Sequence, residues 1–304
     1  MITTQILTKN NFNTIEKTLK SIISLNSNIV VIDMGSIDET IKICKSYGAE
    51  IICSKGKNYS EIRNSATKEG INFYIEPWEE LITGHDKILN LKKNSRLQVA
   101  DGKFITKQIR VWTQDYKFVN PIYEIINDKS AKLEDILILS SGSRDYDSKE
   151  LKKWMENRPT DSEPYYYEAF NKLINKDYKE YCLLAEKFLF MKDSDEISQI
   201  MTKYYLSNVY LYLNEIQKSL KLIIECIGAV PTMAEFWCLL GDIHYKNKLY
   251  KKALSFYQNA IIIGTKRAKN DLFPIDLNKY KDYPDKMIQS CNKILSSSTI
   301  LKAT

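Results

Sequence analysis

Ile29-Val30-Val31-Ile32-Asp33-Met34-Gly35-Ser36-Ile37-Asp38-Glu39-Thr40 decides the reading of the first half of the chain. Its four β-branched residues are too uniformly apolar for a half-exposed strand and suit one buried on both faces, as in a parallel sheet. Gly35 and Ser36 interrupt the block, and Ser36 with Glu39 three residues on is a capping-box signature that opens a helix. That helix carries Ile41 and Cys44 and is expected to stop near Gly48. Asp33, at the strand's end, falls where open α/β sheets bind ligands, in the crevice beyond the carboxyl ends of the strands. A carboxylate there can accept hydrogen bonds from a nucleobase or a ribose. Its blander role is to satisfy the amides of its own turn.

The same texture extends to both sides. Upstream, a strand around Ile6 and Leu7 precedes a helix that Thr14 can cap, with Ile15, Leu19, Ile22 and Ile23 at helical spacing. Downstream, Ile51-Ile52-Cys53 and Phe73-Tyr74-Ile75 are strands around a helix holding Ile62, Ala66 and Gly70. The order is βαβαβαβ, the pattern of a parallel sheet with crossover helices. From Leu97 to Leu139 the chain alternates, as in Phe104-Ile105-Thr106-Lys107-Gln108-Ile109-Arg110-Val111-Trp112, with a turn at Asp101-Gly102. These read as antiparallel strands added to the parallel sheet. Beyond Tyr146 the pattern is helical, punctuated by Pro159, Pro164 and Pro231, and the domains are drawn at 1–147 and 148–304.

The helical half repeats itself. Trp237-x-x-Leu240-Gly241-x-x-His244, then Ala253-x-x-x-Tyr257 and Ala260, resembles the tetratricopeptide pattern. Small residues at Gly241 and Ala253 let the two helices of one hairpin approach, while Trp237 and Tyr257 fill the gap to neighbours. A weaker copy runs through Leu206-Ser207-x-x-Tyr210, Ser219, Ile223 and Cys226, and a third lies around Ala169. Lys286 to Leu295 is expected to be a capping helix that closes the array.

Composition narrows the classes. The 304 residues carry 44 Lys+Arg against 38 Asp+Glu, a net charge of +6 spread along the chain, which argues against a nucleic-acid partner. Cysteines at 44, 53, 182, 226, 238 and 291 show neither zinc-site spacing nor disulfide-scaffold density, which fits a reducing, cytoplasmic compartment. No secretory signal and no transmembrane run is read, and peripheral membrane contact stays open.

Residues 31–40 resemble the D-x-G-S-x-D-x-T segment of family 2 glycosyltransferases. Ile6-Leu7-Thr8-Lys9-Asn10-Asn11 looks like the family's first strand, with Asn11 in place of its usual Glu, and Tyr59-Ser60-Glu61-Ile62-Arg63-Asn64-Ser65-Ala66 is similar to its A-A-R-N-x-A helix. The resemblance implies a GT-A, Rossmann-like domain with a mixed sheet, followed by the all-α repeat domain. It also implies an inverting transfer from a nucleotide-sugar donor, a UDP-sugar, to a protein, peptide or glycan acceptor. Thr8, Lys9, Asn10, Asp33, Gly35, Ser36, Arg63, Asn64 and Glu76 would bind the donor, the Arg63 guanidinium gripping the diphosphate. On its own, Arg63 reads as a solvated helix-surface residue.

The departures fall on the metal. Where the family carries an Asp-x-Asp that holds Mn2+ or Mg2+ against the diphosphate, this chain has Glu76-Pro77-Trp78-Glu79-Glu80. Glu76 aligns with the first Asp, Trp78 cannot ligate, and Glu79 or Glu80 would have to substitute; otherwise these acids are surface charge at a helix start. Arg110-Val111-Trp112 with Phe118-Val119-Asn120-Pro121-Ile122-Tyr123-Glu124 is similar to an R-x-F…F-x-G-x-x-H-E element of the repeat-bearing members, with Tyr123 for the His. The strand ending Ser140-Ser141-Gly142 has serine where these members tend to carry histidine. Glu124 is then the candidate general base. His244 reads as packing and His85 as a loop residue, and the tyrosines of 165–212 read as inter-helix packing before any acceptor groove. Two further readings stay open. One is a degenerate transferase acting as a scaffold whose repeats bind a protein partner, and the other is a metal-independent enzyme in which Lys9 or Arg63 supplies the cation's charge.

Overall fold

The structure, a computed structural model, describes residues 2–54, 58–121, 124–142, 148–268, 271–280 and 282–300. The chain divides into two compact units, Met1–Asp145 and Tyr146–Thr304.

In the first unit strands and helices alternate as the sequence pattern requires: β1 (Ile2–Thr8), α1 (Ile15–Ile22), β2 (Asn28–Asp33), α2 (Thr40–Ser46), β3 (Glu50–Cys53), α3 (Tyr59–Ser65) and β4 (Ile71–Tyr74). There follow β5 (Glu79–Thr83), α4 (His85–Asn90), β6 (Ser95–Ala100), β7 (Phe104–Thr113), β8 (Phe118–Val119), β9 (Ile125–Ile126) and β10 (Lys132–Ser140). The sheet order is β3-β2-β1-β4-β7-β6-β10-β5, and β8 pairs with β9 separately. The β3, β2, β1 and β4 strands run parallel, and β7 is antiparallel to both β4 and β6. Two features depart from expectation. β10 is parallel to β6, and the acidic stretch after Ile75 leads into a half-buried edge strand, β5, instead of a helix.

Side chains alternate across the sheet. Ile2, Ile6, Ile29, Val31, Phe73 and Ile75 pack on one face with Ile15, Leu19 and Ile22 of α1 and Cys44 of α2. Leu7, Val30 and Ile32 pack on the other with Ile62 of α3 and Ala66 at its end. Each fully buried Ile or Leu of α1 contributes about 2 kcal/mol. The expected capping box is absent. Asn10 N–H donates to the Ser36 hydroxyl at 3.0 Å, α2 starts at Thr40, and Asp38 accepts from the Thr40 amide at 3.0 Å. Thr14 precedes α1 without capping an amide, its hydroxyl donating to Asn11 O at 3.3 Å.

The second unit is helical: α5 (Ser148–Asn157), then hairpins α6 (Glu163–Ile174) with α7 (Tyr178–Leu189), α8 (Glu196–Tyr212) with α9 (Ile216–Ala229), and α10 (Ala234–Lys246) with α11 (Tyr250–Gly264), closed by α12 (Asp282–Ile300). Each hairpin turns on one left-handed residue, Lys176, Asn214 or Lys248, with φ of 59°, 66° and 59°. The residue after it donates to the carbonyl five positions back at 2.9, 2.8 and 2.9 Å, a repeated helix C-cap. Thirty-four residues separate Asn214 from Lys248, so the sequence period is a structural one. Gly241 lies against Tyr257, where a Cβ would come within 2.6 Å of the ring. At the matching place in the preceding hairpin, Ser207 and Ser219 each donate to the other's carbonyl at 2.8 Å. Past α11, Asp276 N and the Tyr280 hydroxyl donate to Glu235, and the Tyr283 hydroxyl donates to Asp242, so the chain covers that face of α10 itself. Among the described residues no helix is long and apolar enough to cross a membrane.

Candidate functional site

The turns after β1 and β2 are stitched together at the carboxyl end of the parallel strands. Asn10, left-handed at φ 54°, places its Oδ1 to accept from Ile37 N at 2.8 Å, while Asn11 N donates to Thr40 Oγ1 at 2.8 Å. Thr8 is buried and its hydroxyl donates to Asn11 Oδ1 at 2.9 Å. Gly35 has φ 92°, a value that favours glycine, and lets the chain reverse so that Ser36 N donates to Asp33 Oδ1 at 2.9 Å. Asp33 therefore fills the turn-satisfying role. Lys9, Asn10 and Gly35 are exposed at this rim, and Ser36 is half-buried.

Arg63 differs from both of its expected roles. It lies neither on the helix surface nor open to a diphosphate; it is fully buried (0 % exposed), where Nε donates to Glu124 and Nη2 donates to Glu76 Oε1 at 2.8 Å. Its guanidinium carbon stands 4.5 Å from the centre of the Tyr74 ring. On the ring, 4.3 Å away, sits Arg110, which donates through both terminal nitrogens to Glu79 at 2.8 and 3.0 Å. Burial alone would weaken the charge on Arg110; Glu79, Tyr74 and Glu76 together more than offset it and hold the guanidinium above the ordinary arginine range. Arg63 Nη1 and Arg110 Nε find no hydrogen-bond partner among the described residues, and the Tyr74 ring packed against both guanidiniums gives them a cation–π surface instead. Asn64 is spent on structure too: Nδ2 donates to Phe118 O at 2.9 Å and Oδ1 accepts from Phe118 N at 2.8 Å, tying α3 to β8.

By strand parity Asp33 and Tyr74 leave the sheet on different faces. Asp33 shares the parity of Ile29 and Val31 on the α1 face, and Tyr74, against which Arg63 packs, shares the parity that faces α3. The general-base role expected of Glu124 meets a second obstacle, because that carboxylate is already bonded to Arg63 and only 7 % exposed. Tyr123 lies outside the described residues. Ser140 donates to Gly142 O at 2.9 Å.

Nor do the residues fit the divalent cation that the resemblance implies. Glu79 gives both oxygens to Arg110, and Oε2 also accepts from Glu76 N at 2.9 Å. Trp78 offers no donor and packs under Gly142, where a Cβ would come within 2.9 Å of its ring. Among the described residues no group of three or more His, Cys, Asp or Glu side chains is arranged to hold a metal. Glu80 is half-buried and lines a small cavity with Thr14, Lys17, Thr18, Trp78 and Ser141. The histidines are structural: His85 opens α4 and bonds Ser21 O through Nε2 at 2.8 Å, and His244 bonds Leu240 O through Nδ1 at 2.9 Å beside Phe256.

No protein-family model and no curated protein matches the chain. Solved structures match parts of it. MamA from Desulfovibrio magneticus RS-1 is 18 % identical over 51 % of this chain and 84 % of its own, with a TM-score of 0.38. The Sgt2 TPR domain from Aspergillus fumigatus is 14 % identical over 45 % of this chain and 81 % of its own, with a TM-score of 0.37. Glucosyl-3-phosphoglycerate synthase from Mycobacterium tuberculosis, in complex with Mn2+, UDP and glucosyl-3-phosphoglycerate, is 21 % identical over 33 % of this chain and 43 % of its own, with a TM-score of 0.27. At such scores none of them assigns a family.

The partner that the sequence reading missed is Arg110 for Glu79. Its signal was present: an arginine between apolar residues of an alternating strand needs a carboxylate if it is buried.

Proposed function

We propose that the chain is a protein-binding scaffold, in which the stacked helical hairpins hold a partner and the α/β unit serves as a folded platform with the outline of a glycosyltransferase domain. The observation that carries this reading is the mutual commitment of Arg63, Glu76, Glu124, Arg110 and Glu79, which spends on folding the charges that donor binding and transfer would need. On the hairpins, Phe190 and Tyr212 stand 88 % and 69 % exposed, large aromatic surfaces of the kind that anchor protein contacts. The test is calorimetry with UDP and UDP-sugars, with and without Mn2+ or Mg2+. The scaffold reading expects no binding in any condition, and protein partners that co-purify with the full chain should be retained by Lys9→Ala. Saturable UDP-sugar binding would overturn it.

One observation favours a second reading, a metal-independent transferase using a nucleotide-sugar. The paired turns after β1 and β2 leave Lys9, Asn10 and Gly35 exposed at the carboxyl end of the parallel strands, where α/β sheets take nucleotides. With Arg63 engaged by carboxylates, Lys9 is the residue that would meet a diphosphate. Here UDP should bind without added metal and lose affinity in Lys9→Ala.

A further inference from the structure

The disagreement between the acidic stretch and a divalent cation has a physical resolution inside the α/β unit. Glu76 follows β4 and Glu124 precedes β9, so two chain segments remote in sequence bring carboxylates to one place. A buried carboxylate pair repels and has lost its hydration, costs that a positive charge between them offsets. The guanidinium of Arg63 is a positive charge bonded to both, donating to each carboxylate from one planar group. Beside it Arg110 takes both oxygens of Glu79, and the Tyr74 ring lies against both guanidiniums.

We infer that Arg63 is the internal cation of this unit: it holds the Glu76 and Glu124 carboxylates together in the way an added divalent ion would, so the wild-type chain folds without such an ion and takes none at these residues. The geometry is specific to a guanidinium. Its Nε and Nη2 reach two carboxylates from a fixed plane, which a lysine ammonium meets only as a point charge. Removing the side chain takes its hydrogen bonds and its charge from both buried carboxylates, and an oxygen-loving divalent ion is the added group that would restore positive charge there. The inference concerns how the unit is held together and stands apart from the partner-binding reading.

The test is thermal unfolding of the full chain in EDTA and in millimolar Mn2+ or Mg2+. Wild type should unfold at the same temperature in all three. Arg63→Met should unfold lower in EDTA, by on the order of 10 °C, the scale for breaking a buried ion pair in a unit of this size. Part of that loss should return with Mn2+ in Arg63→Met and not in Arg63→Met with Glu76→Gln. A saturable Mn2+ shift in wild type that Glu76→Gln abolishes would overturn the inference, as would an Arg63→Met chain as stable as wild type or one whose loss Mn2+ leaves untouched. Should Arg63→Met fail to fold, Arg63→Lys replaces it: an intermediate unfolding temperature with no Mn2+ response supports the inference, and a wild-type temperature or a Mn2+ response sinks it.

Discussion

A buried ion pair is worth most as a statement about what happens when half of it is removed. Arg110→Ala leaves the Glu79 carboxylate 2 % exposed with neither of its guanidinium bonds, and should cost about 3–5 kcal/mol in urea unfolding. Glu79→Met with Arg110→Met removes both charges and should lie closer to wild type than Arg110→Ala does, because no unpaired charge remains. Lys42→Ala is the control: its ion pair with Glu39 is exposed, and the midpoint should not move. Cysteine chemistry follows burial in the same way. Burial pushes the thiols of Cys44 and Cys182 up to about 11 and that of Cys226 to about 12, the neighbouring Asp33 and Glu186 carboxylates adding to the first two, while Cys53 is exposed. The thiolate is the nucleophile, so iodoacetamide at pH 8 should modify Cys53 first in the native protein, the half-buried Cys182 more slowly, and the buried Cys44, Cys226, Cys238 and Cys291 only on unfolding. Equal labelling of Cys53 and Cys226 in mass spectra of native protein would contradict the packing described.

At the scale of elements, the hairpins show how one geometry is met by different side chains. Gly241 admits the Tyr257 ring at a distance no Cβ tolerates, so Gly241→Val should destabilise the array by about 1–3 kcal/mol through overpacking. The preceding hairpin reaches the same closeness through Ser207 and Ser219, whose reciprocal bonds are buried; Ser207→Ala should cost about 1 kcal/mol, measured by helical circular dichroism against denaturant. The first hairpin places its large residue at Tyr181 and a small one at Ala185, both buried. That exchange is why its repeat reads as diverged in sequence while its turn at Lys176 keeps the left-handed corner. Where an element's identity rests on local pattern, as in β2 or α10, the sequence was a sufficient guide. β5 was not legible because its glutamates after Pro77 read as surface charge at a helix start, and the arginine that makes Glu79 buriable lies thirty-one residues away in β7. The start of α2 was misread for a similar reason: Ser36 has the right neighbours for a cap, but its hydroxyl is taken by Asn10 from another turn. Site roles were least legible, since Arg63 and Glu124 carry motif positions whose meaning depends on whether they meet each other or a ligand.

For the molecule as a whole, the helical unit is built from contacts between sequence neighbours: α6 packs on α7, α8 on α9, α10 on α11 and α11 on α12. Its clusters are likewise confined to adjacent hairpins, one joining α6, α7 and α8 through Ala169, Tyr181, Ala185 and Leu206, another joining α8, α9 and α10 through Ile200, Ile223 and Phe236. An array of this kind gains stability as a sum of hairpin terms and nearest-neighbour interfaces. Residues 148–304 expressed alone should therefore keep their helical circular dichroism and unfold in one cooperative transition, because cutting at 148 removes no hairpin. Ending the same fragment at residue 281 is a different matter. It strips α12 from Ala253 and Tyr257, which pack with Cys291, Met287 and Ile288, and leaves the Asp242 carboxylate without the Tyr283 hydroxyl. The shortened fragment should lose cooperativity first in its last hairpin, seen as early amide exchange in α11, and should self-associate through the uncovered apolar face. If it instead unfolds as sharply as the longer fragment, α12 is an appendage, and the array ends at Gly264.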